Sequence, residues 1–257
     1  MQLQNTVAVV TGASLGIGQS LAQTLGRRGA RVALVGRNID RLQQTRAAIQ
    51  SAGGTAEIFV TDLRDSRAIG QLAEAVQTLW GPVEVLANIA GAWHDDETLY
   101  LGPLAQRSVE EIDEMLDVNL RAPMLLCRQF IPGMMAKGRG KIINLSGCFP
   151  EGGSMLVPYY ASKIAVEALT RGLANELRKY NIQTNCLSPG EVNTPAIRKF
   201  FPEYRDKSLA PEVVARLALF LLEDAAADHI TGETIVVGDD GTFWNMDEVN
   251  ARFNAIR

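Results

Sequence analysis

The chain has 257 residues, 47% of them hydrophobic and 21% charged, with a formal charge of −4. That balance supplies a full core, excludes a disordered chain, and lacks the broad positive field that nucleic-acid binding needs. Three scattered cysteines (Cys127, Cys148, Cys186) and two histidines (His94, His229) match no zinc spacing, so no metal site is expected. No apolar run approaches the length of a membrane span and no signal segment precedes the first strand-like run. A cytoplasmic protein acting without membrane or nucleic acid is therefore expected.

Short β-branched runs alternate with helical patterns along the chain. Strands over 7–10, 31–35 and 56–60 precede helices over 21–28, 41–52 and 68–79, and further strands fall at 83–87, 141–145, 182–187 and 233–237. This alternation predicts βαβ units, hence a Rossmann-like doubly wound α/β fold: one domain over 1–257, with a seven-stranded parallel sheet and helices on both faces. Two longer helical patterns cover 109–137, where Pro123 and Pro132 mark a bend or break, and 159–179, opened by Pro158. The stretch 194–210 shows no clear pattern and is the expected substrate lid.

The chemistry-bearing residues fall at the carboxyl ends of these strands, the edge at which open α/β sheets bind ligands. After the first strand comes Thr11-Gly12-Ala13-Ser14-Leu15-Gly16-Ile17-Gly18, then a helical pattern. Glycines there let backbone approach a phosphate, and the new helix offers free N–H groups and its positive dipole end. After the second strand, Gly36 cannot supply the carboxylate that grips a ribose 2′-hydroxyl, whereas Arg37 suits a 2′-phosphate, with Ser14 as a second contact. NADP is thus expected over NAD. Asp62, ending the third strand, reads equally as an acceptor for an adenine amino group or as a helix cap. Ser146 closes the fifth strand, and thirteen positions later stands Tyr159-Tyr160-Ala161-Ser162-Lys163. Tyr159 and Lys163, four apart, share one helix face, so the ammonium is expected to lower the phenol pKa and make it a proton shuttle.

Together with Asn88-Ile89-Ala90-Gly91, Asn119 in Asp117-Val118-Asn119, and Ser188-Pro189-Gly190 followed by Thr194, these motifs resemble the short-chain dehydrogenase/reductase family from Val7 to Gly241. The resemblance implies an oxidoreductase moving hydride between NADP(H) and a ketone/secondary-alcohol pair. It implies that Ser146 holds the substrate oxygen and Tyr159 gives or takes its proton. Lys163 binds the nicotinamide ribose, and Asn119 anchors a relaying water. Pro189, Gly190, Val192 and Thr194 line the nicotinamide. The remaining implied cofactor contacts are Gly12, Ser14, Leu15, Gly16 and Ile17 in the turn, then Arg37, Asp62, Leu63, Asn88, Ala90 and Gly91, with Tyr159 and Lys163. Two residues depart from many relatives, Ile89 replacing a second asparagine and Leu15 replacing a basic residue.

The resemblance further implies a homo-oligomer, tetramer or dimer, and a small carbonyl or alcohol substrate. Two other readings stand beside it: a 3-oxoacyl-thioester reductase, served by Arg128, Arg178 and Lys179, and a non-catalytic dinucleotide-sensing regulator, which the intact Asn119, Ser146, Tyr159 and Lys163 set opposes. Trp93-His94-Asp95-Asp96-Glu97 reads as recognition of a polar or cationic substrate or as solvated surface. Phe200, Phe201 and Tyr204 with Arg198, Lys199, Arg205 and Lys207 suit a partly apolar substrate with an anionic end, or a helix packing its rings inward. Phe243, Trp244 and Phe253 in the tail reach a neighbouring subunit or close a pocket.

Overall fold

Strand and helix follow one another here because β-branched runs are punctuated by capped helix starts. The computed structural model describes residues 1–94, 98–147, 153–223, 225–238 and 242–245. Seven parallel strands, β1 (Val7–Thr11), β2 (Arg31–Gly36), β3 (Thr55–Val60), β4 (Val85–Asn88), β5 (Gly140–Leu145), β6 (Ile182–Pro189) and β7 (Thr234–Val237), match the expected sheet. An eighth, β8 (Phe243–Asn245), adds an antiparallel edge from the tail. The spatial order is β3-β2-β1-β4-β5-β6-β7-β8, so the order reverses between β1 and β4. A crevice opens outside the strand ends at such a reversal.

Alternate residues of each strand feed opposite faces. Val10, Leu34, Ala87 and Ile143 join one core with helices α1 (Gly16–Arg27), α2 (Ile39–Ser51) and α8 (Pro211–Glu223). Val9, Val35, Leu86 and Ile142 join the other, against α3 (Ser66–Trp80), α5 (Ala122–Lys137) and the end of α6 (Val157–Leu177). Asn38, Asp65 and Ser108 cap α2, α3 and α4 (Val109–Leu116) through side-chain oxygens.

The helix expected over 109–137 is interrupted where no proline stands, by a π-helical turn at Asp117–Arg121. Pro123 instead occupies the first turn of α5, where its missing N–H costs nothing, and Pro132 is carried inside a helix held to the sheet by Leu126, Phe130 and Met134. Pro158 falls in the first turn of α6. The segment 194–210 is not patternless: it forms α7 (Pro195–Phe200) and a 3₁₀ turn at Pro202–Tyr204.

The opposite edge of the sheet, at the amino ends of the strands, is stapled by charge. Glu84 binds Lys137 at 2.7 Å and Arg139 at 2.5 Å, and buried Lys141 binds Asp228 at 2.6 Å, which holds that carboxyl below the usual range. Among the described residues no helix is long and apolar enough to cross a membrane.

Candidate active site

One cavity of about 780 Å³ follows the carboxyl ends of β1, β2, β4, β5 and β6 from the glycine turn to Tyr159 and Lys163. At its phosphate end Gly12 has φ +66 and Gly16 φ +57, conformations that favour glycine. A Cβ on Gly12 would lie 3.0 Å from the Ala90 backbone, one on Gly18 2.2 Å from the Gly12 carbonyl, and one on Gly16 2.9 Å from the Thr194 methyl. The turn therefore packs against the β4 loop and α7 together. No side chain caps α1 at Leu15, so its first N–H groups face the cavity beside Ser14 and Ile17. A pyrophosphate fits such a turn, both sterically and electrostatically.

At the far end, Arg37 and Asn38 line the cavity from the end of β2, with Thr61, Asp62 and Leu63 across from them. Arg37 is 59% exposed and pairs loosely, at 3.4 Å, with Glu114 of α4. Glu114 also faces Arg64 at 3.7 Å and accepts from the Tyr100 hydroxyl at 3.0 Å. Asp62 is not the cap of α3, which is Asp65. Its carboxylate accepts from the Arg64 guanidinium at 2.6 Å and is held below the usual carboxylate range by it. Arg41, in the first turn of α2 and not among the expected contacts, also lines this end. Its signal in the sequence is a second basic residue four positions after Arg37, three after the Asn38 cap of α2.

At the reacting end, α6 brings Tyr159 and Lys163 to one face. The Lys163 ammonium lies 5.4 Å from the centre of the Tyr159 ring and donates to the Leu145 carbonyl at 2.9 Å. The ammonium is thus anchored at the end of β5. Burial lowers Lys163 to about 8, and burial together with the nearby Glu191 carboxylate raises Tyr159 above the usual phenol range. The phenol is therefore not lowered as the spacing predicted: in this low-dielectric wall both charged forms are penalised. Asn119, presented inward by the π turn, clamps Ala92 twice, accepting from its N–H at 2.7 Å and donating to its carbonyl at 2.9 Å. It also donates to Ser162 at 3.1 Å, tying the β4 loop to α6. Such π turns recur at functional sites.

Two of the expected residues are engaged by protein partners. Asn88, the last residue of β4, is buried and donates to Asn144 at 2.8 Å across the β4–β5 register without lining the cavity, whereas Ile89, Ala90 and Gly91, beyond the strand end, do line it. Ser146 borders the cavity, and its buried hydroxyl donates to Glu167 at 2.7 Å, with the Lys163 carbonyl at 3.2 Å as a second, longer acceptor for the same proton. Glu167 lies two turns beyond Tyr159 on α6, about 12 Å along the axis. The Ser146 hydroxyl is thus tied to α6 at the wall of the cavity. Glu167, raised by its burial, continues the Tyr159–Lys163 stripe at the same four-residue interval and was legible on that ground.

Pro189, Gly190, Val192 and Thr194 line the cavity from the end of β6. Thr194 caps α7, accepting from Ile197 N–H at 3.3 Å, which leaves its hydroxyl hydrogen to donate. The basic residues of 194–210 stay out of the cavity: Arg198 donates to Asn193, Lys199 lies 5.0 Å over the Phe200 ring, and Arg205 faces Asp206. The expected anionic-end reading loses its donors, and Phe201 enters the cavity instead. Asp95 to Glu97, Cys148 and Phe253 lie outside the described residues.

The same order of elements is found in known proteins. An uncharacterized oxidoreductase of Staphylococcus saprophyticus is 32% identical over 239 residues, covering 91% of this chain and 98% of its own. The uncharacterized oxidoreductase YxbG of Bacillus subtilis is 31% identical over 252 residues, covering 91% and 90%. Among solved structures, a metagenomic short-chain oxidoreductase in complex with NADP superposes with a TM-score of 0.79 at 34% identity, over 92% of this chain and 98% of that one. A candidate short-chain alcohol dehydrogenase from Sinorhizobium meliloti gives 0.82 at 30%, over 91% and 94%. Residues 6–205 match the short chain dehydrogenase family pattern, and the chain belongs to that family as one of its oxidoreductase enzymes.

Proposed function

We propose that the protein is an NADP(H)-dependent oxidoreductase interconverting a ketone and a secondary alcohol, with Tyr159 as acid and base. The observation that carries this reading is the single cavity joining Arg37, Arg41 and the glycine turn to Tyr159 and Lys163. The NADP bound in the metagenomic relative supports the cofactor choice. When bound, the nicotinamide supplies or accepts the hydride. Tyr159, neutral through its raised pKa, donates its proton to the oxygen as negative charge builds there, and the Lys163 ammonium offsets the phenolate left behind. Asn119 fixes the Ala92 wall, the Thr194 hydroxyl faces the cofactor end, and the stretch 194–210 acts as lid. The test is oxidation of NADPH by the purified protein across a carbonyl panel, followed by loss of that turnover in Tyr159→Phe.

Ser146 takes no part in substrate contact in this scheme. Ser146→Ala lowers kcat/KM by less than about fivefold, yet costs about 1–3 kcal/mol of stability by leaving the buried Glu167 without its donor. Steady-state kinetics and urea unfolding on the same preparation check both halves. A loss of a hundredfold would return the serine to the reacting oxygen.

Self-association belongs to the same reading. Val109, Leu116, Met124, Val157 and Ile164 leave exposed apolar side chains on α4, α5 and α6, a surface suited to burial against a second copy. Light scattering at micromolar concentration is expected to give a dimer or tetramer mass, and a monomer mass would refute it.

A further inference from the structure

Four charged side chains alternate in sign beyond the ends of β2 and β3. The Asp62 carboxylate accepts from the Arg64 guanidinium at 2.6 and 3.0 Å, Arg64 reaches Glu114 at 3.7 Å, and Glu114 reaches Arg37 at 3.4 Å. Both guanidiniums approach the same oxygen of Glu114, Oε1, while its Oε2 accepts from the Tyr100 hydroxyl at 3.0 Å. Tyr100 is itself buried, and its backbone N–H donates to the Trp93 carbonyl at 3.1 Å, so a fixed donor grips the second oxygen. The Glu114 side chain is 14% exposed against 59% for Arg37. In this pair the acid is the fixed partner and the base the movable one.

We propose that Glu114 is a specificity-determining residue of the cofactor site, an internal competitor that holds Arg37 against a 2′-phosphate and so narrows the preference for NADP(H) over NAD(H). This deepens the NADP(H) reading and rests on it. Arg37, Asp62 and Glu114 line the same cavity. The two carboxylates and two guanidiniums of the set cancel in formal charge, so together they give a phosphate dianion no net attraction. A phosphate that reaches Arg37 either parts it from Glu114 or settles beside a carboxylate that Tyr100 keeps from swinging away, and like charges at that range repel. A 2′-hydroxyl carries no charge and meets neither obstacle. Affinity for NADH is therefore insensitive to the charge of Glu114.

The test is Glu114→Gln, which removes the charge and keeps both the shape and an oxygen able to accept from Tyr100. Dissociation constants of NADPH and NADH for the full-length protein are read by tryptophan-to-nicotinamide energy transfer at low ionic strength, and adenosine 2′,5′-bisphosphate, titrated against bound NADPH, probes this end alone. NADPH and the bisphosphate are expected to bind about three- to fivefold more tightly to Glu114→Gln, with NADH unchanged within about twofold. In the Arg37→Ala background the same substitution alters NADPH affinity by less than about twofold, because the base it competes for is gone. A purely structural role would move both dinucleotides together and overturns the proposal. So does NADPH binding that is unchanged or weakened, or a gain that survives in Arg37→Ala.

The two readings separate in the same titrations. Wild-type protein that favours NADPH and does not respond to Glu114→Gln upholds the NADP(H) reading and refutes the competitor. Wild-type protein without preference that acquires one in Glu114→Gln upholds the competitor and refutes the NADP(H) preference. No preference in either protein refutes both.

Discussion

Tyr159→Phe is expected to lower kcat for ketone reduction by about 10²–10⁴-fold, the usual worth of a positioned general acid, with the Kd for NADPH unchanged within about threefold. Phenylalanine keeps the ring that packs 6.4 Å from Trp93, so the wall of the cavity persists while the transferable proton is lost. Stopped-flow mixing with a ketone and equilibrium quenching with NADPH separate the two quantities. A variant that retained most of its turnover would show that another group protonates the oxygen. The pH profile of the wild type carries the sign of Lys163. Burial brings that group to about 8, so it is an ammonium below that pH and neutral above it. Reduction is expected to hold level through neutrality and to fall as pH rises through about 8, when the positive charge facing the new phenolate disappears.

Arg37→Ala and Arg41→Ala each weaken NADPH binding by about 10–100-fold, the worth of a charge-assisted hydrogen bond to phosphate, and leave NADH binding nearly unchanged. Arg37 releases its 3.4 Å pairing with Glu114 at little cost, because an exposed ion pair of that length contributes little. Both effects shrink as ionic strength rises, since the site is open to solvent. Titration by tryptophan-to-nicotinamide energy transfer at two salt concentrations measures them. An equal loss for NADH would place the arginines on the shared part of the dinucleotide instead of on the 2′-phosphate.

What could be read from the sequence was local, and what escaped was relational. The glycine turn, the Pro158 start of α6 and the Tyr159–Lys163 spacing each lie within a few positions of one another, and the structure retains them as helix starts and one helix face. The hydrogen bond of Ser146 is to Glu167, twenty-one positions on, and that of Asn88 to Asn144 follows from the β4–β5 register. Arg37 meets Glu114 only through tertiary folding, seventy-seven positions apart. The raised pKa of Tyr159 is not legible in the spacing, which reports the neighbouring charge and not the desolvation that outweighs it. Helix α8 lies outside the expected elements although its apolar run starts at Pro211, and β8, three residues long, exists only because β7 offers it an edge. A single-sheet α/β reading survives such omissions because the other strands carry the pattern.

The ion pairs of Glu84 with Lys137 and Arg139, and of Lys141 with Asp228, stand at the amino ends of β4 and β5, while the cavity opens beyond the carboxyl ends of the same strands. Each strand thus has one end committed to cohesion and one to chemistry, a strand's length apart. Substitutions in the loops around Trp93, Glu191 and Phe201 can accumulate without loosening the charged edge. A lineage built on this frame is free to explore new substrates while its thermal tolerance stays where it was.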